Sequence, residues 1–485
     1  MTEAVDVLPV ADLPFHVEQR GIDFIPDAER WATPRAVAGL WAGASVNVEY
    51  LVYGAILMTF GFSLQDAVVL IAVGNLSWVL VGLASIQGPS TGTTTFTINR
   101  AAFGPRGSRA IALCNWLTMI GFEAEGLILI VGAGIVLAAK AGVHASSPLK
   151  ALLIVVAVTI QVVLPFLGHA TMTRVLRWLI VPFVAIYLAL AGFAVGHAHA
   201  VPGAGVTWQL WTAGLAFTIA LSGLGWTENG NDYSRYVPQT ASRRSLVGWI
   251  FVGTALPEIA LMTLGAAVFS FIGTGGSNGS WNGAYPFTAF LGQHALPGWF
   301  VVVFMGFVVV QLFGINSLDL YSSGVTLQAM GLRIRRSHAV LLDSAICLGI
   351  TFYAVFDSQF STLLKEFVTI VIVWIAPWCG IYLTDWLLRS GRYDPMGLQD
   401  TGRASPYWAS NGVSWPAIAA QVLGGVAALA ASGAAFLPGW ANPLARHTSF
   451  SDFSVFLGLG VGAITYLVLG ASRVRRASLA LAPAP

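Results

Sequence analysis

The feature that most constrains this chain is the length of its apolar blocks. LVYGAILMTFGF (51–62), ALLIVVAVTIQVVLPFL (151–167) and FVVVFMGFVVVQLFG (300–314) run without a single charged residue. Runs near 20 residues span a hydrocarbon core of about 30 Å as a helix. Such blocks recur along the chain, so the reading is an all-α polytopic membrane protein. Composition agrees: 56% of residues are hydrophobic and 9% charged, against roughly 25% charged in soluble domains.

Twelve spans are expected, at roughly 34–61, 66–86, 108–138, 149–168, 177–197, 212–236, 246–274, 298–331, 338–356, 362–388, 415–437 and 453–472. The charges give an independent check. With a cytoplasmic amino terminus, the two tails and the loops after even-numbered spans hold 20 of the 24 Lys and Arg residues; Lys140, Lys150, Lys365 and Arg446 are the other four. Orientation follows this bias, so both termini are expected inside a cell membrane. Residues 1–33 form a polar cytoplasmic segment of mixed charge, unlike a cleaved signal peptide. Residues 34–472 form one transporter domain, and 473–485 a cytoplasmic tail.

The interruptions carry the functional information. The first span contains GLWAGASVNVEY (39–50) and the sixth contains SGLGWTENGND (222–232), polar and glycine-rich stretches inside apolar helices. The two lie five spans apart and so start from opposite sides of the membrane. Paired interruptions in two inverted halves point to a midplane binding site in secondary transporters. The halves are expected at about 34–197 and 212–388, with two peripheral helices over 415–472. A channel or a non-transporting sensor is the alternative from another class, but the polar residues cluster at one depth rather than forming a continuous stripe.

Other intramembrane polar residues join this set. The third span reads NWLTMIGFEAEGLILIVG (115–132), with Glu123 and Glu125 near its centre. A carboxylate there faces a cavity, finds a partner or binds a proton. Phe122 and Gly126, four apart, share a face; the two glutamates flank it symmetrically, and periodicity does not choose between them. The eighth span ends in QLFGINSLDLYSSG (311–324), placing Gln311, Asn316 and Asp319 in one helix. Bland readings stand beside these: Asp319 and Glu228 as ion pairs with cytoplasmic arginines, Asn47 and Asn316 as interhelical hydrogen-bond glue. The collection suits a small, flat, polar heterocycle, stacked between aromatic rings and bound at its edge by amides and a carboxylate. Nothing suggests a cofactor, a metal cluster, a nucleic-acid partner or an enzyme's catalytic set. No G-x-x-x-x-G-K-[ST] loop is present, so ATP does not drive the process from this chain alone. Cys114, Cys347 and Cys379 lie in or beside apolar blocks and form no metal-ligand spacing.

Four stretches resemble nucleobase:cation symporter family 1, the cytosine/purine, uracil, allantoin and hydantoin permeases. They are QRGIDFIPDAER (19–30), IQGPSTGTTTFTINRAAFGPRGSR (86–109), GWTENGNDYSRYVP (225–238) and INSLDLYSSGVTLQAM (315–330), in the family's order. The resemblance implies a five-plus-five inverted repeat with broken first and sixth helices, and a symporter of a nucleobase; a ureide such as allantoin or hydantoin is the runner-up. It implies substrate contacts from Ser45 and Asn47 in the first span, a stacking ring at Phe122, and Ser222 and Gly223 at the sixth-span break. Gly223 stands where a stacking aromatic is common, so Trp226 is expected to supply that ring. Gly126 stands where many members carry an amide, leaving that contact without a partner. Asn316 and Asp319 match two eighth-span amide positions. Sodium-coupled members set eighth-span hydroxyls opposite first-span carbonyls. Here the carbonyls of Gly43 and Val46 remain as residual sodium ligands, but the eighth span reads Phe313-Gly314-Ile315. Protons are therefore expected to drive uptake ahead of sodium, with Glu123 the first carrier considered and Asp319, Glu125 and Glu228 behind it.

Overall fold

The computed structural model describes residues 21–162, 169–201, 203, 205–272, 286–291, 293–332, 334, 336–357, 360–433, 446–447 and 451–480, and every regular element among them is a helix. Among these residues nine helices are long and apolar enough to cross a membrane: Leu64–Thr91, Gly107–Lys140, Trp178–His197, Trp208–Ser234, Arg243–Ile272, Gly298–Ala329, His338–Phe356, Leu363–Leu388 and Ser454–Ala477. The pair Pro34–Ser45 and Val48–Met58, bent by 54° at its break, makes a tenth. Two shorter apolar helices, Ser147–Gln161 and Trp415–Ala430, stand at the fourth and eleventh positions. Their expected ends, 163–168 and 434–437, lie outside the described residues.

The first span starts where Thr33 caps it, accepting from the Ala36 N–H, with Pro34 at the first helical position. It stops at Ser45 because Val46 leaves the helical region (φ −77°, ψ 69°). Asn47 then caps a second helix through the Glu49 N–H. The sixth span breaks in a different way. Ser222 has φ −103° and ψ −129°, Leu224–Asn229 winds as a 3-10 helix, and Gly230–Ser234 returns to α.

The second span runs as one helix, but its regular α hydrogen bonding gives way to single tighter turns at Leu76–Ser77 and Ser85–Ile86, which the sequence did not lead us to expect. The sixth span meets these turns. Gly223 N–H donates to Ser77 Oγ (3.1 Å), Asn231 Nδ2 to the Ala84 carbonyl (2.6 Å) and Ser234 Oγ to the Ser85 carbonyl (2.7 Å). Asn231 Oδ1 also accepts the Gly88 N–H (2.6 Å), and Asp232 Oδ1 the Thr95 N–H (3.0 Å). Half of the polar motif in the sixth span thus satisfies backbone that a bilayer would leave unpaired.

Spans one, two, six and seven pack on one another. A Cβ added at Gly54 would lie 1.9 Å from the Met262 carbonyl oxygen, and one at Gly265 1.9 Å from that of Leu51. The first and seventh spans therefore cross backbone to backbone, as small residues permit. The third, eighth and ninth spans form a second group, and the twelfth packs on the tenth and eleventh. At one end the stretches behind the family resemblance meet. Ile25 N–H donates to the Gly92 carbonyl (2.9 Å), Ala32 N–H to that of Tyr236 (2.9 Å), and Arg235 reaches the Gly21 carbonyl (2.6 Å) and the Tyr321 hydroxyl (2.9 Å).

Candidate functional site

The break in the first span is held by one amide. Gln311 in the eighth span accepts the Val48 N–H (2.9 Å) and the Tyr187 hydroxyl through Oε1, and donates through Nε2 to the Val46 carbonyl. Both half-helices are thus satisfied by a neutral side chain, and the Val46 carbonyl is taken by an N–H donor. Gly43 lies within the preceding helix. Ser317 Oγ donates to the Gly314 carbonyl (2.6 Å) in the Phe313-Gly314-Ile315 stretch. Asn47 Nδ2 donates to Glu49 Oε2 (2.9 Å), so this amide serves its own helix end.

Two rings face each other beside the breaks. Phe122 and Trp226 are nearly parallel (12°) with centroids 6.2 Å apart. A flat ring inserted between them needs two contacts at the carbon–carbon optimum, about 7–8 Å in all, so the pair would part by about 1–2 Å to admit one. Trp41 stands edge-on to Trp226 at 5.7 Å, and Phe367 edge-on to Phe122 at 4.9 Å. Trp226 Nε1 donates to the Tyr50 hydroxyl (3.1 Å). No side chain fits at Gly223, whose added Cβ would lie 2.3 Å from both the Ser77 carbonyl carbon and the Trp78 nitrogen. The ring comes from one turn further on.

Gly126 has an equally specific role. Its added Cβ would lie 2.1 Å from Asn316 Oδ1, so the bare backbone lets the Asn316 amide lie against the third span. Asn316 Nδ2 donates to the Glu123 carbonyl (3.0 Å) and to Gln161 Oε1 (3.1 Å). Its Oδ1 has no hydrogen-bond partner among the described residues. That oxygen is a free buried acceptor.

The structure separates the two third-span glutamates. Glu123 Oε2 accepts from Cys347 Sγ of the ninth span (3.3 Å). Glu125 lies beside Tyr53 of the first span and within Coulombic range of Glu49 and Asp319. Asp319 is within range of Glu49 and Glu228, and Glu228 is fully buried with neither carboxylate oxygen hydrogen-bonded among the described residues. Ser45 Oγ donates to Glu258 Oε1 (3.3 Å), and Ser222 flanks the same carboxyl. Among the described residues no arginine, lysine or histidine forms an ion pair with Glu49, Glu123, Glu125, Glu228, Glu258 or Asp319. Arg333 and Arg335, considered as partners of Asp319, lie outside the described residues. No group of three or more His, Cys, Asp or Glu in the described set could hold a metal ion.

Glu49, Tyr50, Gln161, Tyr187 and Glu258 were absent from the sequence-based set. The two glutamates had a readable signal, since each is a lone carboxylate in an apolar run, VNVEYLVYG (46–54) and ALPEIALMTLG (255–265). Chemically, among the described residues the site offers a parallel aromatic pair, an unpartnered amide oxygen and carboxyls without counter-cations: acceptors in excess, beside flat hydrophobic walls.

The family of permeases for cytosine/purines, uracil, thiamine and allantoin matches residues 24–458. The chain is 25% identical over 474 residues to the "Putative purine-cytosine permease YxlA" of Bacillus subtilis, covering 95% of this chain and 97% of that one. It is 25% identical over 470 residues to the purine-cytosine permease fcyB of Emericella nidulans, covering 94% and 88%. Among solved structures, Mhp1, a nucleobase-cation-symport-1 family transporter in a closed conformation with bromovinylhydantoin bound, superposes with a TM-score of 0.71 at 18% identity, covering 97% and 99% of the two chains.

Proposed function

Because the chain belongs to the family of permeases for cytosine/purines, uracil, thiamine and allantoin, we propose that it imports a nucleobase, cytosine or a purine first, by proton-coupled alternating access. One observation carries the substrate class: the parallel Phe122–Trp226 pair, with the unpartnered Asn316 Oδ1 held against Gly126 one helical turn along the third span from Phe122. A nucleobase presents two π-faces and ring or exocyclic N–H donors, and an amide oxygen and carboxylates accept from those donors. The purine-cytosine permeases among its relatives support the same class.

Gln311 supports protons over sodium. A hard cation takes oxygen ligands, and the Val46 carbonyl already accepts an amide N–H. Carboxyls are plentiful instead, and ionising one at bilayer depth is costly, which favours a bound proton. Glu125 is the carrier we favour, because it neighbours Glu49 of the broken first span whereas Glu123 turns to the ninth. The bias of positive charge supports cytoplasmic termini at the cell membrane. Radiolabelled uptake of cytosine, adenine, hypoxanthine, uracil and allantoin into cells lacking their own permeases tests the substrate class. Saturable uptake of at least one nucleobase is expected; transport of allantoin alone, or of no heterocycle by correctly inserted protein, would overturn it.

A further inference from the structure

Glu258 lies in the middle of the seventh span, directly after Pro257, and is completely buried. Three helices converge on its carboxyl. Trp78, just after the tighter turn at Leu76–Ser77 of the second span, donates Nε1–H to Oε2 (2.7 Å). Ser45, the last helical residue before the first-span break, donates to Oε1 (3.3 Å). Ser222 at the sixth-span break and Tyr50 of the first span face it as well. A carboxylate has about four acceptor positions; Trp78 and Ser45 fill two of them here, and the Tyr50 and Ser222 hydroxyls stand beside the rest.

The direction of these bonds matters. An indole N–H only donates, so the Tyr50 oxygen is the acceptor for Trp226 Nε1 (3.1 Å). The phenol's own proton is then free for a second acceptor, and the Glu258 carboxyl, already held by Trp78 and Ser45, is among its neighbours. We propose that Glu258 is a positioning residue of the substrate site, which fixes the Trp226 indole against the incoming ring through the Tyr50 hydroxyl. Trp226, Tyr50, Glu258 and Trp78 make one directed chain across the sixth, first, seventh and second spans. Glutamine at 258 would turn one acceptor oxygen into an NH2 facing a donor, and phenylalanine at 50 would remove the relay while keeping its ring. Both changes free the indole to rotate about its side-chain torsions. This inference rests on the stacking role given to Trp226 above.

Initial rates of radiolabelled cytosine uptake, with adenine in parallel, test it for wild type, Tyr50→Phe, Glu258→Gln and the double variant, each with Trp226 intact and with Trp226→Ala. Each single change is expected to raise the half-saturation concentration about five- to tenfold with the maximal rate within about twofold, and the double change to cost no more than either alone, as members of one unit do. With Trp226→Ala already present, neither change should alter half-saturation further. Multiplying effects, effects that persist without Trp226, or unchanged half-saturation in both single variants would overturn the inference. Unchanged half-saturation in Trp226→Ala itself would instead remove the stacking role. If Glu258→Gln does not reach the membrane, the comparison of Tyr50→Phe with and without Trp226 decides the matter by the same criteria.

Discussion

Trp226 answers why a membrane helix carries so polar a sequence around a large ring: its neighbours Asn231 and Asp232 hold the second span and the loop after it, leaving the indole to face Phe122. Alanine at either Phe122 or Trp226 should cost about 1–3 kcal/mol of substrate binding, the range for base–aromatic stacking. Half-saturation in uptake assays would rise about tenfold or more, and Trp226→Phe, which keeps a ring but loses the N–H that Tyr50 holds, should raise it by less than Trp226→Ala and about as much as Tyr50→Phe. Gly126→Ala puts a methyl where Asn316 Oδ1 now lies. It should displace that amide and weaken substrate binding by about tenfold, comparable to losing one buried hydrogen bond to the ring, while the protein still inserts. Trp226 and Asn316 were legible in the sequence because a large ring and an amide are conspicuous among polar interruptions of apolar helices, whereas Phe122 was expected only from the family resemblance. The choice between Glu123 and Glu125 was not, since both flank the same helical face and only the ninth and first spans distinguish them.

Single elements show where sequence reading ends. The spans were legible because about 20 apolar residues leave few other folds, and the first and sixth breaks because polar residues interrupt them. The tighter turns of the second span were not, because the groups that meet them, the Gly223 N–H and the Asn231 amide, lie some 150 residues further on, a contact visible only once the spans pack. The first break depends in the same way on a remote side chain. Gln311→Ala would leave the Val46 carbonyl and the Val48 N–H without their partner, at about 1–3 kcal/mol for each buried unsatisfied group. Thermal unfolding in detergent should show a clearly lower midpoint than wild type, and added nucleobase should recover part of it by mass action. A midpoint equal to wild type would mean that the break is held by something other than this amide.

For the whole molecule, the two packed groups of spans, one with the broken helices and one with spans three, eight and nine, are the bodies that rocking would move past a fixed site. In the proposed mechanism substrate and proton would meet where the groups touch: Trp226 against Phe122, and Glu49 near Glu125. On the proposed proton coupling, Glu125 rather than Glu123 is the carrier to test, because Glu123 stays within the second group through Cys347. Glu125→Gln should lose accumulation against a gradient yet still exchange substrate across the membrane, while Glu123→Gln should accumulate as wild type does. The most direct test is concentrative uptake of radiolabelled nucleobase by wild-type proteoliposomes under an imposed pH gradient, acidic outside, or an imposed inward sodium gradient. The account predicts accumulation with the pH gradient alone; accumulation that follows sodium and ignores pH would contradict it.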